Sequence, residues 1–305
     1  MVSYKRKKRV RQRSTRRNKN KELVFLVGGD DKCIYVPLHD GLGNQLFVYA
    51  AALVAKKKLG LPLCILPSKT GNVGRDYRPI LFANSVAVDN SDPVTKERMS
   101  KSTAILTGIG SAHQNWVNSN IVANTSKNVI LHSTYFQNYK AIEKIVPEMR
   151  TQIMGALEKT YPEFKSTIDS GSSGFMHVRR GNYDKSFGQA LPKDYYQNGL
   201  NEISASKTLK TIYVMSNDLD WCKAQGFTVP GSIELKMYDE PDELKTFYAM
   251  CLCTQAAVMS ASTYSTWGTI LGAHANDASI IIYPKVWFMA PNSSVLRFPE
   301  RWKAI

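Results

Sequence analysis

Cys33-Ile34-Tyr35-Val36-Pro37-Leu38 is followed by Gly41-Leu42-Gly43-Asn44-Gln45, an apolar-periodic run from Leu46 to Leu59, Gly60, and then Leu61-Pro62-Leu63-Cys64-Ile65-Leu66. The order spells strand, tight turn, helix, strand, which is a βαβ unit opening on a glycine-rich turn. Working outward, Val129-Ile130-Leu131 reads as a strand. Residues 134–161 then show helical spacing, with a break at Pro147 and an end before Pro162. Gly171-Ser172-Ser173-Gly174 interrupts the pattern. Beyond it the chain restarts with strands at Phe175–Val178, Thr211–Met215, Ala256–Met259 and Ser279–Pro284, interleaved with helices over 193–206, 219–225, 242–253 and 266–275. Alternating strands and helices imply parallel sheets covered on both faces. The expectation is an α/β chain of two facing Rossmann-like domains, 22–160 and 161–305, with a cleft between them. Residues 68–127, broken by glycines and prolines, show no regular pattern. Ligands in such sheets lie beyond the carboxyl ends of the strands.

Composition narrows the class. The 305 residues are 43% hydrophobic and 21% charged, enough for a real core without staples. Five cysteines, odd in number and without a CxxC pair, argue against a disulfide framework or a zinc site and for reduced thiols in a cytosol-like compartment. The net charge of +15 is concentrated at one end. Residues 1–21 carry eleven Lys and Arg and no acid, leaving 29 against 25 elsewhere, a net +4. Such an arm is expected to be disordered, and it either contacts a polyanion or stays solvated. Leu23 to Gly29 is apolar but far short of the roughly 18 residues that cross a bilayer. The expectation is a soluble, cytoplasmic chain with no transmembrane anchor.

Three segments carry chemistry. In Phe175-Met176-His177-Val178-Arg179-Arg180-Gly181-Asn182-Tyr183 a strand runs into a histidine and two arginines. Adjacent guanidiniums at a strand end suit a diphosphate, although a pair of surface arginines would look the same. In Ser260 to Gly268 hydroxyls gather where a helix begins. Ser262, Thr263 and Ser265 either cap the free amides or sit where a phosphate is held. Gly41 and Gly43 let the backbone approach a ligand or another chain segment. The turn lacks the third glycine of a dinucleotide fingerprint. Asp218-Leu219-Asp220 spells the DxD of metal-dependent transferases, but Asp218 falls at a helix N-cap and Asp220 in its first turn, so the metal reading is set aside.

In this order the segments resemble the family 11 glycosyltransferases, the α-1,2-fucosyltransferase family. The pattern GGLGNQ(M/L)FxYA is similar to His39 to Ala50, GYFQ to Ser133 to Gln137, and HxRRGDY to His177 to Tyr183. Tyr195-Tyr196, Ser216 to Asp218 (for SDD), Ser262 to Leu271 (for SSFSWWGAWL), Pro284 to Phe288 (for PKxWF) and Pro299 to Trp302 (for PERW) follow. The resemblance implies a GT-B-like fold, GDP-fucose as donor, no metal or other cofactor, and inverting transfer to a glycan acceptor, at O-2 of a galactoside. It implies that Arg179 and Arg180 are catalytic, and that His177, Gly41, Gly43, Asn44, Gln45, Asn217, Asp218, Ser262, Thr263 and Ser265 bind the nucleotide sugar. Several positions depart from the pattern. Asn182 and Asn217 replace aspartates, Thr266 replaces a tryptophan, and His39-Asp40 stands where glycine is expected. An amide cannot take a proton near neutral pH, so the general base is left open, with Asp40 and Asp184 nearby. A degenerate transferase that only binds glycan or nucleotide, and a transferase using another GDP-sugar, are the competing readings.

Overall fold

The computed structural model describes residues 32–66, 75–82, 85–88, 91–105, 128–131, 135–181, 190–274, 276–287, 290–291 and 296–305. The basic arm and residues 182–184, with Asn182 and Asp184, lie outside them. The first half runs β1 (Ile34–Pro37), α1 (Leu42–Leu59), β2 (Leu63–Leu66), α2 (Arg78–Leu81), β3 (Val86–Ala87), α3 (Pro93–Ser100), β4 (Thr103–Ile105) and β5 (Val129–Leu131). Its strands pair in parallel in the order β3-β2-β1-β5-β4. Next come α4 (Tyr139–Ile142) and α5 (Val146–Thr160). The second half runs β6 (Ser173–Val178), α6 (Lys193–Ile203), β7 (Thr211–Ser216), α7 (Leu219–Ala224), β8 (Glu234–Met237), α8 (Glu243–Leu252), β9 (Ala256–Val258), α9 (Thr263–Ala273) and β10 (Ile280–Tyr283). A two-stranded antiparallel ribbon, β11 (Val286–Trp287) with β12 (Ala290–Pro291), and β13 (Lys303–Ala304) complete it. Strands β13-β10-β9-β6-β7-β8 form a second, wholly parallel sheet.

Two parallel sheets with covering helices are the α/β, GT-B-like architecture expected, and the strand orders locate the ligand side. In the second sheet the chain builds from β6 out to β8, then returns to place β9 against the other side of β6 and continues to β13. The order reverses between β6 and β9, and that switch point opens a crevice beyond the strand ends. The first sheet also reverses between β1 and β5, with β4 outside β5 at the edge.

Helix α1 shows why these two crevices face each other. Leu42, Leu46, Phe47, Val48, Tyr49, Ala50, Ala51 and Ala52 are all buried, so the helix is apolar around nearly its whole girth and must be enclosed. It packs on β1 and also on α9, where Phe47 meets the edge of Trp267 at 5.1 Å between ring centres. A single apolar cluster runs through both halves and takes in Phe47, Met149, Phe175, Tyr248, Trp267 and Trp302. Among the described residues no helix is long and apolar enough to cross a membrane.

The helical stretch does divide at Pro147 and end before Pro162, and Pro147 lies in the first turn of α5, where its missing N–H removes no helical bond. Some elements differ from the sequence expectations. Helix α9 begins at Thr263, a turn before the expected Thr266, because Ser262 is extended and serves as the N-cap residue. The stretch assigned no pattern holds α2, β3, α3 and β4. Strand β8 has no counterpart among the expected strands. It is an edge strand whose Glu234 and Lys236 face solvent, which hides the apolar signal.

Candidate active site

At the β6–β9 switch point the strand ends bring His177, Arg179, Arg180 and the start of α9 together. His177 is buried, and its Nδ1 lies 2.7 Å from Ser260 Oγ just beyond β9. Ser260 Oγ is 3.3 Å from Ser265 Oγ, and the Ser265 hydroxyl donates to the Ser262 carbonyl at 3.2 Å. This relay ties the end of β6 to the first turn of α9. It also corrects the capping expectation. The Ser262 side chain makes no cap bond, and the Ser265 hydroxyl is turned back into the buried relay. The N-cap side chain therefore does not cap the first-turn amides of α9.

Arg180 is the best-supported side chain of the site. Asn217, at the end of β7, accepts from the Arg180 N–H at 2.9 Å and donates to the Arg180 carbonyl at 3.2 Å. An aspartate could make only the first of these bonds, so the amide at 217 has a structural reason. Gly181 follows at φ 77°, a left-handed conformation that turns the chain after the arginines. The Arg180 guanidinium lies 4.2 Å from the Trp221 ring centre and its Nε 3.6 Å from Asp218 Oδ2. Asp218 caps α7 by accepting from the Trp221 N–H at 3.0 Å. Its two oxygens thus serve a helix cap and an arginine, while Asp220 is almost fully exposed and pairs with Lys223.

The other half contributes the turn after β1. A Cβ built on Gly43 would overlap the main chain of Thr263 and Tyr264, so Gly43 lets the starts of α1 and α9 touch backbone to backbone. The space beside Gly41 is open. Asn44 accepts from Gln137 Nε2 at 3.1 Å, and Gln137 Oε1 accepts from Trp287 Nε1 at 3.1 Å. Gln45 is buried and donates to the carbonyls of Asp40, at 2.8 Å, and Arg75, at 3.1 Å. Asn44 and Gln45 thus fix the turn and its neighbours. A second tie crosses the halves. Glu243, in the first turn of α8, accepts from Arg75 at 2.8 Å and from the Tyr77 hydroxyl at 2.7 Å, and its carbonyl accepts from Tyr264. Trp221 and Glu243 lie in no motif read from the sequence, and Ser260 and Gln137 lie in motifs that give them no role of their own. Arg180, His177, Asn44 and Arg75, the partners of Trp221, Ser260, Gln137 and Glu243 respectively, lie far from them in the chain, a separation no local pattern encodes.

Burial, and then the nearby Arg179 charge, hold the His177 imidazole down to about 3, so it is neutral throughout the neutral range. Unfolded, it would titrate near 6.5. His177 therefore stabilises the fold in full above about pH 6.5, and that contribution is lost as pH falls toward 3, because the unfolded chain takes up a proton that the folded chain refuses. His177→Gln is expected to show a smaller drop in melting temperature between pH 7 and pH 5 than the unmodified protein, measured by scanning calorimetry. An equal drop would place the acid sensitivity elsewhere.

A doubly parallel-sheeted fold with cationic and helix-start groups at one switch point, facing a second switch point, has the layout of a nucleotide-sugar glycosyltransferase. The sequence model of glycosyl transferase family 11 matches residues 111–302, and the chain belongs to that family. WbnK of Escherichia coli, an O-antigen biosynthesis glycosyltransferase, is 22% identical over 298 residues, spanning 86% of this chain and 97% of WbnK. Among solved structures, POFUT1 in complex with GDP is 10% identical, covering 84% of this chain and 99% of that one at a TM-score of 0.46. Fucosyltransferase NodZ from Bradyrhizobium is 10% identical, covering 79% and 93% at a TM-score of 0.47.

Proposed function

We propose that the protein transfers L-fucose from GDP-fucose, with inversion, to a glycan hydroxyl, at O-2 of a galactoside. The observation that carries this reading is the prepositioned Arg180, clamped through its backbone by Asn217 and through its side chain by Trp221 and Asp218, next to a second arginine and an uncapped helix start. When the acceptor oxygen attacks the anomeric carbon from the face opposite the nucleotide, negative charge grows on the departing β-phosphate. Guanidiniums already fixed in place stabilise that charge most in the transition state. The amides at the start of α9 add to the field around the same diphosphate. His177, neutral and hydrogen-bonded to Ser260, forms part of the crevice floor without adding a competing charge. Membership of family 11 and the similarity to a glycosyltransferase of O-antigen assembly support a glycan as acceptor.

The reaction in this reading needs no metal, since both Asp218 oxygens are engaged by a helix cap and an arginine. The test is to incubate purified protein with lactose and GDP-fucose, GDP-mannose or UDP-galactose, with and without EDTA, and to follow nucleotide release and sugar transfer. GDP-fucose alone is expected to be consumed, at the same rate with chelator, giving a product cleaved by an α-1,2-specific fucosidase. Turnover of GDP-mannose instead would keep the fold assignment and reject the sugar. Loss of activity with EDTA would reject the metal-free mechanism.

A further inference from the structure

From the turn after β1 we infer that Asp40 is the general base that takes the proton from the acceptor hydroxyl, with Tyr135 and His39 as its positioning residues. The inference rests on the fucosyl-transfer reading and adds to it a group to take the acceptor proton.

The backbone is the first indication. Asp40 is one of three described non-glycine residues with positive φ, at 60°. A non-glycine residue held there is disfavoured and persists only where its surroundings enforce it. Here Gln45, wholly buried, holds the Asp40 carbonyl at 2.8 Å, and the next residue opens α1. The left-handed turn swings the aspartate side chain out of the line of β1. Its Oδ2 accepts from the Tyr135 hydroxyl at 2.6 Å and lies 3.2 Å from His39 Nδ1. Burial and the Asp40 carboxylate push the Tyr135 phenol up to about 12, so it remains a donor. His39 and Tyr135 rings pack at 4.9 Å between centres, and His39 Nε2 is buried without a protein partner. Two donors thus aim one carboxylate that is still about one-third exposed.

Position is the second. Asp40 follows β1 and Tyr135 follows β5, the two neighbouring strands between which the first sheet reverses order. That is the switch point of the acceptor half. Gly43, three residues on, presses α1 against the start of α9, where the diphosphate is placed. Two described carboxylates of the second half are held in structural pairings, and Asp184 lies outside the described residues. Asp218 caps α7 and pairs with Arg180, and Glu243 holds Arg75 and Tyr77.

In the step, the acceptor O–H proton passes to Asp40, the oxygen forms its bond to the anomeric carbon, and the bond from that carbon to the β-phosphate oxygen breaks with its electron pair going to GDP. The proton is later released to solvent.

Asp40→Asn and Asp40→Gly test the assignment, because asparagine and glycine both tolerate positive φ and leave the turn unstrained. With lactose and GDP-fucose, both variants are expected to lose about a hundredfold or more in kcat while KM for GDP-fucose and GDP binding by calorimetry stay within threefold. Formate, a small external carboxylate, is expected to raise the rate of Asp40→Gly at least tenfold and to leave Asp40→Asn unchanged. A kcat within threefold of the unmodified protein, a parallel loss of GDP binding, or no response of Asp40→Gly to formate would each overturn the proposal while the unmodified enzyme still transfers fucose. An unmodified protein that transfers no fucose would instead remove the reading beneath it.

Discussion

Arg180→Ala is expected to lower kcat for fucosyl transfer by a hundredfold to a thousandfold, the effect of removing one preorganised donor from a site where charge develops. Arg179→Ala should fall in the same direction. The larger loss belongs to Arg180, whose main chain is bridged twice by Asn217 and whose guanidinium is stacked on Trp221. Arg180→Lys restores the charge and not the rate, because an ammonium has neither the planar fork for a phosphate nor the flat face for an indole. The measurement is steady-state turnover of GDP-fucose with lactose, beside GDP affinity by calorimetry. Activity of Arg180→Ala within threefold of the unmodified enzyme would remove the diphosphate from this strand end.

Gly43→Val is expected to abolish transfer and destabilise the fold. A side chain there has to occupy the main chain of Thr263 and Tyr264, so α1 and α9 must separate. Backbone does not move aside as a flexible side-chain tip does. Overpacking inside a well-packed core costs about 1–3 kcal/mol, and a backbone clash stands at or above the upper end of that range. Gly41→Ala is the contrast. The space beside Gly41 is open, so the protein should fold normally and melt within a few degrees of the unmodified one. Thermal melting and GDP binding of the two variants distinguish a packing glycine from a permissive one. Equal behaviour would show that the α1–α9 contact is not what position 43 secures.

The doubly parallel plan was legible because buried parallel strands are continuous apolar runs and the helices between them carry the helical period. Tyr213, Val214 and Met215 in β7 show the apolar run, and α6, with Tyr195, Tyr196, Gly199, Leu200 and Ile203 buried along one face, shows the helical period, whereas α1 is apolar all round. The irregular stretch was harder for a physical reason. Its strands β3 and β4 are two and three residues long, too short for any period to register. Yet Asp92-Pro93 opens α3 with an N-cap bond to the Thr95 N–H at 2.8 Å and a proline in the first turn, a start signal that the surrounding glycines and prolines masked.

For the site, strand ends and a helix start were readable as places, and motif spacing named the residues there. What spacing could not reveal was division of labour. Gly43 and Gly41 look alike in sequence, and only the packing of a helix from the far half separates them. Ser262 and Ser265 look like caps, and only the relay to His177 shows that the Ser265 hydroxyl faces inward. Asp40 looks like an ordinary turn aspartate until Tyr135, 95 positions later, is found on its carboxylate.

The meeting of α1 and α9 is made of main-chain atoms, with Phe47 against Trp267 one turn deeper. Main-chain dimensions do not vary with side-chain fashion, so this joint acts as a ruler. In the proposed reaction it sets how far the arriving hydroxyl stands from the leaving nucleotide, whichever acceptor is offered. Redesign toward a new acceptor can therefore be confined to the segments that rim the first sheet, leaving the span between the two reactants untouched.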